Sequence, residues 1–382
     1  MKLELLVGSD TFWSRLKDDL ADARRSAVVQ TFTFEGDRVG LDLADALEAC
    51  TAPDRRLLVD GYSRLYHSDR WIHGPAWRAA ELRSEVRSTQ AAVRRLRDGG
   101  ARVRFGNPVG PTPLHTIRRN HKKLIVVDER ISYLGGINFS DHNFAWHDLM
   151  IRIESSEMGT LLTEDFDGSW GDRPVGYDRQ VGPLRVISMN GRGNHAAFAP
   201  VVDSIRGART SIDVVSAYVS TPFTEAFGAA ASRGVRVRVL TPSKNNKPNL
   251  ARHVTHAAIR HGLELLRYDG GMSHMKAMVI DGDLLIAGSS NFDFMSYHIL
   301  EEHVVMTRDP GLVGAFVNEV WNPDSRAATL AAERPGVGTR WGDRAVRLGA
   351  ALARLLARPA SLEHGRRNSG GEVFEGREEA TA

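Results

Sequence analysis

The sequence predicts an α/β protein of two tandem halves, and three observations lead to this prediction. A motif of histidine, lysine and aspartate occurs twice, at 121–128 and at 274–281. Patterns typical of strands and helices alternate around both copies, as in α/β domains. The chain has 382 residues, which suffices for two hydrophobic cores of ordinary size. We therefore expect two α/β halves related by a pseudo-twofold axis, each carrying one copy of the motif.

Both copies of the motif share the frame H-x-K-x-x-x-x-D, followed after six residues by G-[GS]-x-N. The first copy supplies His121, Lys123, Asp128 and Asn138, and the second copy supplies His274, Lys276, Asp281 and Asn291. Residues i and i+2 of a strand point to the same face, so each histidine projects beside its lysine. The residues after each lysine are almost wholly apolar, which indicates a strand buried on both faces.

A histidine beside a lysine suits the chemistry of a phosphate diester. Lysine neutralises a non-bridging oxygen, and histidine acts as a nucleophile or proton donor near neutral pH. The asparagine after the glycine turn adds a neutral donor. A single copy is more often an ordinary strand edge at the surface. Two copies with matching Gly and Asn instead indicate one phosphodiester site where the halves meet.

Composition limits the class of protein. Hydrophobic residues make up 42% and charged residues 25%, as in a soluble globular protein. A single cysteine, Cys50, excludes an internal disulfide and fits a reducing, cytoplasmic compartment. We expect neither a signal peptide nor a spanning helix. The histidines lack metal-ligand spacing, so we expect no metal and no cofactor. The net charge of +3 and the pI of about 9.1 favour anionic partners, either lipid or nucleic acid.

The secondary-structure elements follow from apolar periodicity. In the first half we predict helices at 11–25, 41–50, 91–97 and 159–170, and strands at 27–34, 56–61, 102–105 and 149–153. In the second half we predict strands at 211–218, 235–240 and 303–306, and helices at 223–233 and 311–321. Val28 and Val214 are 186 residues apart, whereas His121 and His274 are 153 apart. We assign the extra residues of the first half to 62–90, a segment that is expected to cap the site or, alternatively, to be an ordinary loop at the surface.

These patterns divide the chain into four parts. Residues 1–172 form the first half, 173–194 a connector rich in Gly, Pro and Arg, 195–328 the second half, and 329–382 a tail. The tail is predicted to contain an amphipathic basic helix at 340–358 and a disordered end. One face of this helix carries Trp341, Ala345, Leu348, Leu352 and Leu355, and its flank carries Arg344, Arg347, Arg354 and Arg358. The helix either binds anionic lipid or packs its leucines on the body of the protein.

The paired motifs resemble the HKD motifs of the phospholipase D superfamily. The words NHKK at 120–123 and GGINF at 135–139 are most similar to its bacterial cardiolipin synthase branch, and the resemblance covers about residues 10–325. It implies a phospholipase D-like fold of two α/β halves with mixed sheets and an active site at their interface. The sequence departs from the family at Met295 and Leu300, where the family usually has Arg and Asn.

The resemblance also implies roles for individual residues. His121 is expected to attack phosphorus and form a phosphohistidine, with His274 as general acid and base, although spacing alone does not decide between them. The phosphoryl oxygens are expected to be held by Lys123, Lys276, Asn138 and Asn291. A downstream acidic residue should fix the histidine tautomer: Glu302 in the second half, with Glu301 as the alternative register, and Asp148 in the first. Asp128 and Asp281 lie an odd number of positions after their lysines and are expected to make structural hydrogen bonds.

Three activities fit such a site: phosphatidyl transfer between phospholipids, hydrolysis of the phospholipase D type, and cleavage of nucleic acid. The chain lacks the interleaved aromatic and basic residues of a strand-binding groove, which disfavours a nuclease. A non-catalytic lipid-binding module is a fourth hypothesis, but none of the catalytic groups is missing. We favour cardiolipin synthase-like transfer. Its substrate would be an anionic phospholipid such as phosphatidylglycerol, reached by peripheral contact with the inner face of the cell membrane.

Overall fold

The computed structural model describes residues 1–67, 70–109, 116–331 and 336–357, which form two α/β halves with one mixed sheet each. The strands of the first half are β1 (Lys2–Val7), β2 (Ser26–Thr31), β3 (Asp54–Asp60), β4 (Tyr66–His67), β5 (Arg70–Trp71), β6 (Arg102–Gly106), β7 (Leu124–Val127), β8 (Ile131–Gly135) and β9 (Leu149–Glu154). Those of the second are β10 (Tyr177–Val181), β11 (Leu184–Asn190), β12 (Ser211–Ser216), β13 (Arg236–Pro242), β14 (Glu264–Tyr268), β15 (Lys276–Ile280), β16 (Leu284–Gly288), β17 (Glu301–Thr307) and β18 (Thr329–Leu330).

Both sheets repeat one strand order. The first runs β1-β9-β8-β7-β2-β3-β6, and the second contains β11-β17-β16-β15-β12-β13-β14 in the same relation, with β10 and β18 added at its edges. In each sheet, two strand pairs are parallel and the motif strand is antiparallel to its neighbours. Strand β2 is parallel to β3 and antiparallel to the motif strand β7. In the same way, β12 is parallel to β13 and antiparallel to the motif strand β15. The internal repeat of the sequence is therefore a repeat of topology.

Most helices cover the outer faces of the sheets, whereas the helices that carry Phe166 and Phe316 lie in the core between the two sheets. In the first half they are Ser9–Asp22, Arg38–Ala49, Ala80–Asp98, Asp141–Phe144 and Ser156–Trp170. In the second half they are Asn194–Ala197, Ala199–Gly207, Phe223–Ala231, Pro248–His261, Phe294–His298, Pro310–Phe316 and Asn322–Ala327, followed by Val337–Ala357 in the tail. Several begin at a side-chain cap, for example Asp37, which accepts a hydrogen bond from the Gly40 N–H. Such caps explain why these helices begin before the first apolar residue of the periodic pattern.

The segment 173–194, predicted as a connector, contains β10 and β11. Strand β11 pairs with β17 from Leu184↔Thr307 to Asn190↔Glu301 and takes the place that β1 occupies beside β9. The prediction of a connector is therefore corrected: the segment is a hairpin of the second sheet, because its buried residues Val186 and Ile187 extend the core. The glycines and arginines of this segment concealed the strand pattern.

The segment 62–90 contains a 3-10 turn at Gly61–Arg64, the β4–β5 hairpin, a second 3-10 turn at Pro75–Arg78 and the start of the helix Ala80–Asp98. This helix is longer than the one predicted at 91–97, because Leu82 and Val86 bury the same face as later apolar residues. In the second half, β13 is followed by only a short loop before the helix Pro248–His261. The additional residues of the first half lie in this segment.

The two halves share one hydrophobic core. It joins Leu124 and Phe166 of the first half to Met275, Ala277 and Phe316 of the second, all of them fully buried. Strands β7 and β15 are buried along their whole length, in keeping with their continuous apolar sequence. The shared core fixes the relative position of the residues at the ends of these strands.

The tail helix Val337–Ala357 lies against the helix Pro248–His261, where Asp343 contacts His253, and it buries Ala353 in a separate cluster with Ile299. Its apolar stripe points the other way: the exposed fractions are 64% for Trp341, 65% for Leu348, 52% for Leu352 and 55% for Leu355. Arg347 does not flank this stripe, because it pairs with Asp343 and Glu225. The hypothesis that these leucines pack on the protein's own body is therefore wrong for the described chain. Arg358 and the predicted disordered end lie outside the described residues.

Among the helices of the described chain, none is both long and apolar enough to cross a bilayer.

Candidate active site

Each motif histidine lies on a segment that joins the opposite half. Asn120 forms a parallel bridge with Glu301, and the His121 N–H donates to the Glu301 carbonyl at 2.9 Å. In the same way, Ser273 bridges His147, and the His274 N–H donates to the His147 carbonyl at 2.8 Å. The backbone therefore brings both motifs to the boundary between the sheets.

The acidic partners of the histidines are exchanged between the halves. Nδ1 of His121 lies 3.0 Å from Oε1 of Glu302, and Nδ1 of His274 lies 2.8 Å from Oδ2 of Asp148. Burial favours the protonated form of both carboxyl groups, but the charges and hydrogen bonds of the neighbouring lysines and histidines keep the pKa of each lowered. The carboxylates are thus ionised acceptors for the two imidazoles.

These contacts assign the histidine tautomers. An ionised carboxylate only accepts hydrogen bonds, so Nδ1 of each ring carries the proton and Nε2 keeps its lone pair. Nζ of Lys276 also lies 2.7 Å from Nδ1 of His274, but the same nitrogen cannot both donate to Asp148 and accept from Lys276. Because Nδ1 of His274 donates its proton to Asp148, we assign the hydrogen bond of Lys276 to the His274 carbonyl oxygen.

Burial holds both imidazoles neutral near pH 7. It lowers the pKa of His121 from 6.5 to about 4 and that of His274 to about 3, and the positive charges of Lys123 and Lys276 act in the same direction. The acidic partners oppose these shifts without cancelling them. A neutral imidazole with a free Nε2 is the form required for nucleophilic attack.

The two lysines are buried beside the histidines. Burial lowers the pKa of Lys123 to about 7 and that of Lys276 to about 8, and the charge of Lys276 also lowers the pKa of Lys123. Nζ of Lys123 donates to the carbonyl of His121 at 2.7 Å. Two adjacent buried cations are destabilising without an anion between them, so this arrangement suits a phosphate group.

The asparagines and glycines after the motif complete the site. Asn138 accepts from the Phe32 N–H at 3.3 Å, and Oδ1 of Asn291 is buried with no hydrogen-bond partner in the described chain. A Cβ atom at Gly136 would lie 2.3 Å from the carboxylate of Asp148. Glycine is therefore required at position 136, where any side chain would displace the acid that orients His274.

Asp128 and Asp281 lie away from these groups. Asp128 accepts from the N–H groups of Arg24, Arg25 and Ser26, and Asp281 accepts from those of Arg209, Thr210 and Ser211. Each carboxylate thus binds the turn that begins β2 or β12, at the far end of its motif strand. These are structural hydrogen bonds, of the kind that the odd spacing of the two aspartates from their lysines predicts, and they lie apart from the histidines and lysines of the site.

A buried polar cluster that the sequence did not predict lies behind His121. Asp165 accepts from Nζ of Lys122 at 2.6 Å, from Oγ of Ser188 at 2.7 Å and from Nε2 of His303 at 2.7 Å. All four side chains are almost fully buried, and they come from both halves. Lys122 follows His121 and His303 follows Glu302, so the cluster joins the backbones on either side of this pair. The only sequence signal was a second lysine, Lys122, just before an apolar strand.

Aromatic rings line the approach to the histidines. The ring of Phe32 lies 5.0 Å from that of His121 and stacks on Tyr62, which in turn stacks on Tyr66 at 4.3 Å. Trp146 lies 4.9 Å from His274 on the other side. Residues 62–66 of the longer first half thus reach the neighbourhood of His121.

The structure therefore brings together His121, Lys123, Asp148, His274, Lys276 and Glu302, with Asn138 and Asn291 at the same strand ends. Glu301 precedes Glu302 on an extended strand and points to the opposite face, where it lines a separate cavity. The described chain contains no group of three or more His, Cys, Asp or Glu arranged to hold a metal ion.

The sequence is similar to those of known proteins. Residues 16–170 and 201–322 match the family model described as "Cardiolipin synthase, PLD-like domain". Cardiolipin synthase A of Pseudomonas syringae pv. syringae (strain B728a) is 25% identical over 337 residues, covering 81% of this chain and 65% of the relative. Minor cardiolipin synthase ClsB of Bacillus subtilis (strain 168) is 30% identical over 232 residues, covering 54% and 55%. The chain thus spans 65% and 55% of the length of these two relatives.

The fold is similar to that of a solved enzyme. The crystal structure of phosphatidylserine synthase from Haemophilus influenzae Rd KW20 superposes with a TM-score of 0.67 at 13% identity, covering 94% of this chain and 95% of that chain. At this level of identity the comparison shows the shared fold of two α/β halves with mixed sheets.

Proposed function

Because the chain belongs to the family of phospholipase D-like domains of cardiolipin synthase, we propose that it is a phosphatidyltransferase that works through a phosphohistidine. The observation that carries the proposal is the pair of crossed contacts between His121 and Glu302 and between His274 and Asp148. They provide two imidazoles with free Nε2 atoms beside two buried lysines. A phosphodiester needs this set: one group to attack, one to move a proton, and cations to hold the oxygens.

In the first step, Nε2 of His121 attacks phosphorus and the bond from phosphorus to the leaving alcohol oxygen breaks. His274 gives a proton to that oxygen and becomes neutral. His274 is neutral in the empty site, so it must gain this proton when substrate binds; the anionic phosphodiester raises its pKa by adding negative charge nearby. Lys123 and Lys276 balance the charge on the non-bridging oxygens.

In the second step, the neutral His274 removes a proton from the hydroxyl of the acceptor. The acceptor oxygen attacks phosphorus, and the bond from phosphorus to Nε2 of His121 breaks. His121 is then neutral again, and His274, protonated as it was with substrate bound, releases its proton to solvent when the products leave. With two molecules of phosphatidylglycerol, the products are cardiolipin and glycerol; with water as the acceptor, the product is phosphatidic acid.

The aromatic rings support a lipid alcohol as acceptor. Phe32, Tyr62 and Tyr66 form a stacked wall that begins at His121. An apolar wall disfavours free water and provides surface for a glycerol backbone with acyl chains. The Tyr62→Ala variant should therefore raise the proportion of hydrolysis relative to transfer.

We further propose that the helix Val337–Ala357 holds the protein on an anionic membrane. Its exposed stripe of Trp341, Leu348, Leu352 and Leu355 lies among the exposed cations Arg340, Arg344 and Arg354. This combination is typical of interfacial helices. The inner face of the cell membrane fits best, because anionic lipids give it a negative surface potential.

A lipid assay tests the activity directly. The full chain is incubated with vesicles of deuterated phosphatidylglycerol, and the products are measured by mass spectrometry. Cardiolipin formation supports the proposal, whereas phosphatidic acid alone would identify a hydrolase. Cleavage of a DNA substrate without any change in lipid would favour the nuclease hypothesis and overturn the proposal.

A further inference from the structure

A cavity of about 500 Å³ lies between the halves, behind the segment that carries His121. Its wall includes Gln30, Arg118, Asn120, Arg192 and Glu301. Asn120 and Glu301 precede His121 and Glu302, and neighbouring residues of an extended chain point to opposite faces. The backbone of these two segments therefore separates the cavity from the catalytic histidines.

Several polar groups at this cavity lack a partner. Oε1 of Gln30 and Nε of Arg118 are buried without a hydrogen bond in the described chain. The Glu301 carboxylate makes no hydrogen bond or ion pair with the described residues, and burial raises its pKa to about 7. Buried polar groups are nearly always paired in proteins, so these three groups without a described partner indicate a site for a polar ligand.

Two guanidinium groups define the charge of that ligand. The pKa of Arg118 is lowered by burial and by the charge of Arg192, so the two cations are close enough to repel each other. The exposed side chain of Arg192 is unpaired within the part of the chain that the structure describes. An anion between them would remove the repulsion, and the planar arginine fork matches the geometry of phosphate oxygens.

We propose that this cavity binds a phosphorylated polyol, with glycerol phosphate as the model ligand. Arg118 and Arg192 would bind the phosphate, and Gln30 Oε1 and Glu301 would accept hydrogen bonds from the hydroxyl groups. The volume lies within the range of small-molecule sites and suits a head group without its acyl chains. The inference goes beyond the proposed transfer reaction and does not depend on it, because binding needs no chemistry.

The position of the cavity connects it to the proposed membrane surface. Nη2 of Arg118 donates to the carbonyl of Leu356 at 3.1 Å, in the last turn of the helix that exposes Leu352 and Leu355. A phospholipid head group beneath this helix and a free glycerol phosphate from solution share the same chemistry. Both sources are therefore compared in the experiment.

The test is a calorimetric titration of the full chain with glycerol 1-phosphate. We expect two sites in the wild-type protein, because Lys123 and Lys276 also bind phosphate. The Arg192→Gln variant should weaken one of them by about tenfold to a hundredfold, as expected for the loss of one charge-assisted hydrogen bond. The Lys123→Gln variant should weaken only the other site. Arg179→Gln is the matched control, since Arg179 is an exposed arginine on β10 away from the cavity.

Three results would overturn the proposal: no site that responds to Arg192→Gln, loss of all binding in Lys123→Gln, or an equal response to Arg179→Gln. Inorganic phosphate that binds as tightly as glycerol 1-phosphate would overturn the assignment of the hydroxyl contacts. Competition by dihexanoyl phosphatidylglycerol at the Arg192-dependent site would identify lipid head groups as the source. Binding of glycerol 1-phosphate without that competition would identify a water-soluble polyol phosphate. Failure of lipid transfer with an intact Arg192-dependent site would contradict only the proposed function.

Discussion

Nδ1 of His121 lies 3.0 Å from Oε1 of Glu302, a residue 181 positions further along the chain and in the other half of the protein. The reciprocal contact joins His274 to Asp148 at 2.8 Å. Each half thus supplies one histidine and the acid that orients the other histidine. The site is complete only when both halves are assembled.

Removing the charge of either acid should lower the rate without unfolding the protein. Glu302→Gln and Asp148→Asn keep side-chain size but cannot stabilise a positively charged imidazole, so we expect kcat to fall by about 10²–10⁴-fold. The measurements are kcat on phosphatidylglycerol vesicles and the thermal unfolding midpoint. Glu157→Gln, on the exposed surface of the helix Ser156–Trp170, is the control. Near wild-type rates in both acid variants would contradict the crossed arrangement.

The two histidines should differ when the leaving group needs no proton. With a 4-nitrophenyl phosphodiester, the His274→Ala variant should still form the covalent intermediate and then accumulate it, because no base activates the acceptor. The His121→Ala variant should form none. Acid quenching and peptide mass spectrometry would locate the phosphorylated residue. A label on His274 in the His121→Ala variant would reverse the proposed roles.

The pH dependence follows from the buried lysines. The pKa values of Lys123 and Lys276 are lowered to about 7 and about 8, so the two cations proposed to bind phosphate are present below this range and are lost as pH rises through it. We expect kcat/KM to fall between about pH 7 and 8, far below the usual lysine pKa of about 10.4. The acid limb should lie near pH 4, where His121 becomes protonated.

A measured pH profile of kcat/KM tests this expectation. The limb for kcat should lie at higher pH, because bound phosphate stabilises the charged lysines. Lys123→Arg keeps its charge throughout and should remove the earlier part of the decline, at a lower maximal rate. An alkaline limb near pH 10 in the wild type would show that the lysines are not desolvated.

Asp165 should be important for stability. Asp165→Asn leaves the ammonium of Lys122 buried without its counter-charge, and breaking a buried pair of this kind costs about 3–5 kcal/mol of unfolding free energy. Asp178→Asn is a suitable control, because the side chains of Asp178 and its partner Arg185 are 39% and 42% exposed and a surface pair contributes at most about 1 kcal/mol. Urea unfolding measures both. Equal effects of the two substitutions would contradict the prediction.

The same cluster predicts acid sensitivity. The pKa of Asp165 is lowered well below its usual range; although burial opposes ionisation, the charges of Lys122 and His303 and their hydrogen bonds outweigh it. Its stabilising contribution is therefore complete above the unfolded pKa of about 3.9 and is lost as pH falls below that value. The Asp165→Asn variant should show a smaller decline in unfolding free energy over this acid range than the wild type.

The sequence was sufficient to predict the repeat, the α/β class and the meeting of the two His-Lys pairs, because a duplicated motif on buried strands leaves few arrangements. It was also sufficient to single out Asp148 and Glu302. It was insufficient to predict that each acid contacts the histidine of the other half. The spacing of histidine and acid within each half is the same whether the acid contacts its own histidine or the other one. Strand β11 was missed because its partner β17 is distant in sequence, and the role of Lys122 was missed because Asp165 and His303 lie on other elements.

The apolar stripe of the tail helix gives a test of membrane attachment. Leu348→Gln with Leu352→Gln should weaken binding to phosphatidylglycerol vesicles at least tenfold, since partial burial of each leucine contributes roughly 1 kcal/mol. Leu330→Gln is the matched control, because Leu330 on the edge strand β18 has the same 65% exposure as Leu348. Activity on a short-chain soluble substrate should be unchanged in the double variant. Unaltered vesicle binding would place the membrane contact elsewhere.

The cluster around Asp165 is found on one side of the repeat only. Met275 stands at the position of Lys122 in the second motif, Leu149 follows Asp148 as His303 follows Glu302, and Phe316 precedes Trp321 as Asp165 precedes Trp170. All three counterparts are buried in the apolar core. A chain with its two motif segments exchanged would place an ammonium group among leucine and phenylalanine and leave Asp165 facing a thioether. The two copies of the motif are therefore not interchangeable. Replacing the segment of one half with that of the other would place polar groups in an apolar core.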